Sequence, residues 1–131
     1  MHLKKICLVL SLVLLIPNSA YSKDYKAKRR SGDLIVEMRI NRNPPVVDKN
    51  EVTLEIKDIS GRRVTDARVH VNYYMPPMPG MPPMNYTSAA QLSGYEYKAT
   101  MDLIMAGPWN IVVKMIRGGK SSSVTFLIDV R

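Results

Sequence analysis

Tyr95-Glu96-Tyr97-Lys98-Ala99-Thr100-Met101-Asp102-Leu103 decides the fold class. Tyr95, Tyr97, Ala99, Met101 and Leu103 fall on one side of an extended chain, and Glu96, Lys98, Thr100 and Asp102 fall on the other. Alternation with period two marks a half-buried strand, because successive side chains of a strand point to opposite faces of its sheet. Ala106-Gly107-Pro108 then turns the chain, and Trp109, Ile111, Val113 and Met115 resume the same spacing. Gly118-Gly119 reads as a hairpin turn, after which Val124, Phe126, Ile128 and Val130 form a last strand.

Working back from there, the period holds. Val69, Val71 and Tyr73 alternate with His70, Asn72 and Tyr74. Val52, Leu54 and Ile56 alternate with Thr53, Glu55 and Lys57 up to the turn signal Ser60-Gly61. Leu34, Val36, Met38 and Ile40 alternate with Ile35, Glu37 and Arg39 up to Asn43-Pro44-Pro45. No window carries a helical period, and no internal repeat is present. Short strands with turn signals roughly every 8–12 residues predict an all-β domain over residues 33–131, a small immunoglobulin-like β-sandwich of about seven antiparallel strands. A chain of 131 residues is enough for one such core and too short for two.

The N-terminus reads differently. Lys4 and Lys5 precede the apolar run Ile6 to Ile16, Pro17 breaks it, and Ala20-Tyr21-Ser22 places small residues where a signal peptidase reads. The run is short for a membrane span, which needs about 20 residues, so residues 1–22 are expected to be a cleaved signal peptide, with an uncleaved anchor as the rival. The mature chain is then periplasmic or otherwise extracytoplasmic. Cys7 leaves with the signal, so no thiolate nucleophile, disulfide or thiolate ligand remains.

The formal charge is +8, and loss of Lys4 and Lys5 leaves +6. Lys23, Lys26, Lys28, Arg29 and Arg30 crowd into residues 23–32, read as a basic flexible tail. An exported chain rarely meets nucleic acid, so peripheral contact with anionic lipid headgroups is the expected use of that charge.

One segment carries chemistry. Met75-Pro76-Pro77-Met78-Pro79-Gly80-Met81-Pro82-Pro83-Met84 places a methionine at every third position, with proline and glycine between. Proline fixes φ and drives its predecessor to extended geometry, so the segment is stiff. In a straight polyproline helix neighbouring methionines stand about 9 Å apart, too far to share one ion. The run is symmetric about Pro79-Gly80, however, and Pro-Gly is the favoured centre of a type II turn. A turn there faces Met78 with Met81 and Met75 with Met84.

Thioether sulfur is soft and neutral, suited to Cu(I) or Ag(I) and poor for Zn²⁺, Ca²⁺ or Mg²⁺. Met75, Met78, Met81 and Met84 are therefore the candidate metal ligands, with His70, the one mature imidazole, a candidate fifth. The bland reading is an apolar docking loop, since methionine is an adaptable filler that also favours promiscuous protein contact. Met105-Ala106-Gly107-Pro108-Trp109 has a mainly structural reading: a corner followed by a core anchor. Its functional alternative puts Met105 or Trp109 beside the methionine loop.

Taken together, these motifs resemble the YtkA-like family, and more loosely the FixH family of copper-oxidase maturation proteins. The resemblance runs from Asp33 to Val130. It rests on Val69 to Tyr74 leading into Met75-Pro76-Pro77-Met78-Pro79-Gly80-Met81, on Gly94-Tyr95-Glu96-Tyr97-Lys98-Ala99, and on Met105-Ala106-Gly107-Pro108-Trp109. It implies an immunoglobulin-like sandwich on the outer side of a bacterial membrane, and copper association. FixH-like proteins usually keep a membrane anchor, whereas a cleavable N-terminus is expected here.

An enzyme is not expected. No cysteine nucleophile, second mature histidine or serine-histidine-acid arrangement is present, and the acidic residues sit singly on outward faces. The expected function is Cu(I) capture, buffering or transfer to a partner protein, such as a membrane copper transporter or an oxidase assembly factor. The alternative is a metal-free interaction module that uses the same loop.

Overall fold

The computed structural model describes residues 24–131; the signal peptide expected over residues 1–22 lies outside them. The described chain forms nine strands: β1 (Tyr25–Ser31), β2 (Leu34–Ile40), β3 (Asp48–Asp58), β4 (Arg68–Tyr74), β5 (Asn85–Ala89), β6 (Gln91–Ser93), β7 (Glu96–Leu103), β8 (Gly107–Arg117) and β9 (Lys120–Val130). They make two sheets, of order β1-β2-β3-β7-β6 and β5-β4-β8-β9. Every pairing is antiparallel.

The alternating apolar residues line the gap between the sheets. Val36, Met38 and Ile40 of β2, Val52, Leu54 and Ile56 of β3, and Met101 and Leu103 of β7 are buried on one side. Val71 of β4, Trp109, Ile111, Val113 and Met115 of β8, and Phe126, Ile128 and Val130 of β9 are buried on the other. Burying a side chain of this size contributes about 1.5–3 kcal/mol, so this layer supplies the main drive for folding.

The sequence names six strands and expects about seven; the structure has nine among the described residues. The additions to the six are β1, β5 and β6, none of which carries a run of large apolar residues. β1 corrects the expectation of a flexible tail over residues 23–32. It pairs along its whole length with β2, from Tyr25 with Ile40 to Ser31 with Leu34. Backbone pairing needs no apolar pattern on an edge strand, and lysine on an edge discourages further strand addition. Arg29 lies over the Phe126 ring, 5.5 Å from its centroid, and the Lys28 ammonium is 3.7 Å from the Glu37 carboxylate.

Tyr95 is a second correction. It sits in the turn before β7, exposed, with the Arg63 guanidinium 3.7 Å from its ring centroid. The inward series of that strand begins instead at Tyr97, whose hydroxyl donates to the Val64 carbonyl at 3.0 Å and accepts from the Ala67 N–H at 3.2 Å.

The antiparallel order collects three connections at one end of the sandwich. These are residues 41–47 between β2 and β3, 75–84 between β4 and β5, and 104–106 between β7 and β8. β1 also begins at this end, where Tyr25 faces Ile40. The opposite end holds the turns β1–β2, β3–β4, β6–β7 and β8–β9.

Candidate functional site

The methionine segment folds back on itself. β4 delivers Met75 and β5 receives Met84, and the Met75 N–H donates to the Met84 carbonyl at 3.2 Å, extending the β4–β5 ladder by one pair. At the tip the Met81 N–H donates to the Met78 carbonyl at 3.1 Å, and Gly80 has φ +78. That is the type II turn expected of Pro79-Gly80, with glycine where a positive φ is required. Prolines on both arms stiffen the hairpin between its two closures.

The four methionines thereby become unequal. Met75 is 6% exposed and belongs to the core, Met84 packs against the core edge, and Met78 and Met81 are 43% and 36% exposed at the tip. All four line one apolar cleft of about 160 Å³, with Pro76, Pro77, Pro82 and Pro83 as its walls. The returning arm is pinned from outside: Asn72 Nδ2 donates to Asn85 Oδ1 at 2.6 Å, to the Tyr86 carbonyl at 2.9 Å and to Thr87 Oγ1 at 3.3 Å.

Beneath the hairpin lies an aromatic floor. Tyr73 and Tyr86 are direct cross-strand partners with ring centroids 5.5 Å apart, and Trp109 stands 6.1 Å from Tyr73 and 6.5 Å from Tyr86. Trp109 is fully buried, in keeping with its reading as a core anchor, and its Nε1–H donates to the Met105 carbonyl at 2.9 Å. That bond ties the 104–106 corner to the hairpin root. Gly107 completes the join: at φ +125, an added Cβ there would stand 3.0 Å from the Met75 Cε. Met105 is half-buried against the core at this same end.

His70 is not brought to the loop. It is half-buried on the outer face of β4, opposite to Val69, Val71, Tyr73 and Met75, between Ala89 of β5 and Lys114 of β8. Five residues of strand also put it about 16 Å from Met75 along the sheet. The odd-numbered and even-numbered positions of one strand point to opposite faces, so His70 does not share the Met75 face and is not among the residues lining this cleft.

The other residues that shape the site carried weak sequence signals. Tyr73 was legible only as an alternating strand residue, and Tyr86 sits in a polar stretch. Asn50 is the buried polar side chain of the core layer. Its amide donates to the Val46 carbonyl at 2.7 Å and the Asp48 carbonyl at 2.9 Å, fixing the neighbouring 41–47 loop. Among the described residues no group of three or more His, Cys, Asp or Glu side chains is placed to hold a metal ion. The donor set at this end is sulfur, backbone carbonyl and aromatic face.

The YtkA-like family model matches residues 31–114, from the end of β1 through most of β8. The chain belongs to the YtkA-like family. The matched stretch holds both the methionine hairpin and the Met105–Trp109 corner of this YtkA-like domain, and leaves β9 outside. No match was found among curated proteins or among solved structures.

Proposed function

We propose that this YtkA-like domain captures Cu(I) with the thioethers of Met75, Met78, Met81 and Met84 and passes it, outside the cytoplasm, to an acceptor protein. One observation carries this reading: a proline-stiffened hairpin, closed at both ends, turns a spacing of three residues into four methionines lining a single cleft. Soft neutral donors favour a soft monovalent ion, and the uncharged cleft gives no carboxylate to hold harder divalent ions. Thioethers take up no proton near neutral pH, so affinity does not depend on deprotonating a ligand.

Transfer follows from the inequality of the four sites. A ligand from the acceptor can reach an ion at the exposed Met78 and Met81 while Met75 and Met84 still hold it from the sheltered side. Each exchange then replaces one weak bond by another, and no bare ion is released. A membrane copper transporter or an oxidase assembly factor would be a suitable acceptor. The domain itself contributes binding and exchange rather than catalysis, and export follows from the signal-like N-terminus.

The test is anaerobic titration with Cu(I) against a competing chromophoric chelator. The natural chain should withdraw the ion stoichiometrically, the His70→Ala variant should match it, and the variant with all four methionines replaced by leucine should not compete. Failure of the natural chain to compete would end the copper reading. The exposure of Met78 and Met81 then favours the alternative, a metal-free apolar docking loop, which leucine would preserve.

A further inference from the structure

We infer that the loop end of the sandwich is a docking face for the surface of a lipid bilayer. The argument begins with what this end lacks. From Val71 through Tyr95, from Leu103 through Val113 and from Asn43 through Val47 there is no Asp, Glu, Lys or Arg, in a chain that is 23% charged. The three connections at this end therefore form one largely uncharged cap, in which Arg42 is the sole charged side chain.

The cap is contiguous. The Val47 N–H donates to the Arg131 carbonyl at 3.0 Å, Val130 faces Gly107, and Gly107 abuts Met75 at the hairpin root. Asp48 faces Leu103, which sets Val47 beside Ile104. Val47, Met78, Met81, Tyr86 and Ile104 are half of the exposed large hydrophobic side chains among the described residues, and all lie here. Chain economy does not explain such grouping on a soluble surface, whereas an apolar neighbour does.

The rim mixes both signs: Lys26, Arg42, Lys49 and Arg131 stand with Asp24, Asp48, Asp102 and Asp129, and Arg131 lies 3.7 Å from Asp129. Tyr86, with an apolar ring and a polar tip, suits the boundary between lipid and water.

What points to a bilayer, and not to a second copy or another protein, is the direction from which the chain arrives. β1 begins at this end, and the apolar run Ile6–Ile16 precedes it. Fully extended, Pro17 to Asp24 spans at most about 28 Å. Whenever that run is in a membrane, during export or after it, this cap is the end of the domain held near the lipid. The charged end is farther away by the length of β9, about 35 Å.

The inference stands apart from the copper reading and is tested without metal. In a Cys7→Ser background, a nitroxide label is placed at Met81→Cys or, at the far end, at Lys120→Cys. The full chain is mixed with phosphatidylcholine vesicles, with and without phosphatidylglycerol. The label at position 81 should become accessible to oxygen and shielded from a water-soluble nickel chelate, and that at 120 should not, on vesicles of either composition.

Adding Met78→Gln to Met81→Gln should reduce vesicle partitioning of the otherwise natural chain at least about tenfold, since two apolar side chains are lost from the contact. Met78→Leu with Met81→Leu should keep it, although the copper reading predicts weakened Cu(I) binding for that same variant. Equal water exposure of both labels on vesicles, equal lipid exposure of both, or burial of position 81 by self-association without vesicles would each overturn the proposal.

Discussion

Where β3 passes into β4, the chain turns on charge: Asp58 Oδ1 accepts from the Ser60 N–H at 2.9 Å, the Ser60 hydroxyl at 2.6 Å and the Arg62 N–H at 3.0 Å. Nearby, Arg117 Nε lies 2.8 Å from Asp66 Oδ1, and Arg63 reaches both Glu55 and the Tyr95 ring. At the other end the chain turns on proline, glycine and sulfur, without one charged side chain from Met75 to Met84. Both ends solve the same problem, which is to reverse antiparallel strands. The charged end does so with local hydrogen bonds that satisfy its own backbone. The methionine end does so with conformational restriction, which leaves the side chains at its tip, Met78 and Met81, uncommitted. A turn that needs nothing from its side chains is free to use them on something else.

The contrast is broken most severely by removing what the methionine end rests on. Trp109→Ala empties the aromatic floor, frees the Met105 carbonyl and leaves Tyr73 and Tyr86 without their partner. A loss of about 3–5 kcal/mol is expected, measured by urea unfolding. The four-methionine-to-leucine variant should instead remain within about 1.5 kcal/mol of the natural chain while losing Cu(I), because methionine and leucine have similar volume. If both variants lose equal stability, the hairpin is core structure and the distinction between the two ends fails.

The charged end has its own support in Tyr97, which ties the buried start of β7 to Val64 and Ala67. Tyr97→Phe should cost about 1–3 kcal/mol, since it leaves a carbonyl and an N–H unpaired at the core edge. Burial holds the Tyr97 phenol above its ordinary range. The sign follows: its contribution is complete below the unfolded-state pKa and is lost as pH rises through the higher folded value. Urea midpoints should therefore fall in strong alkali for the natural chain, and less so for Tyr97→Phe.

Some of this was legible from residue order and some was not. Six strands and the type II turn could be read because period-two burial and Pro-Gly geometry are local properties. β1 could not, because an edge strand pairs through its backbone and its side chains read as a solvated basic segment. β5 hid for a related reason: Asn85–Ala89 is polar, and it becomes a strand because Met75 and Met84 meet and Asn72 grips it from the next strand. His70 lies close to the loop in sequence but on the other face of β4, since strand parity, and not separation, decides the face. Val64 became core through loop closure, which no pattern along the chain announces, whereas Asn50 holds an inward position of the β3 alternation that its polar side chain disguises.

A milder change separates the fold of the hairpin from its chemistry. Gly80→Ala puts a Cβ where φ is +78, at a cost of about 1 kcal/mol, in open space with no neighbouring atom within 4 Å. The sandwich should survive, while the Met78–Met81 turn opens and Cu(I) competition weakens without vanishing, because every sulfur is still present. Unchanged competition would mean that the tip geometry does not matter to binding.

The smallest effect belongs to Asp58. Its carboxyl is held below the usual range, first by the Ser60 hydroxyl and further by the Arg62 and Ser60 backbone N–H groups and the Arg62 charge, against an opposing loss of hydration. A depressed folded pKa contributes stability that is complete above the unfolded value and is lost as pH falls through the folded one. The natural chain should therefore lose this part of its stability only in acid below the ordinary carboxylate range. Asp58→Ala should flatten the acid limb of the urea-midpoint profile and leave the alkaline limb in place. Asp58 is half-buried at a surface turn, so the change should be slight even near neutrality, where the contribution is complete, and Cu(I) competition should not move at all. An Asp58 variant that altered metal uptake would show that the two ends communicate through the sheets, and the division of labour between them would have to be withdrawn.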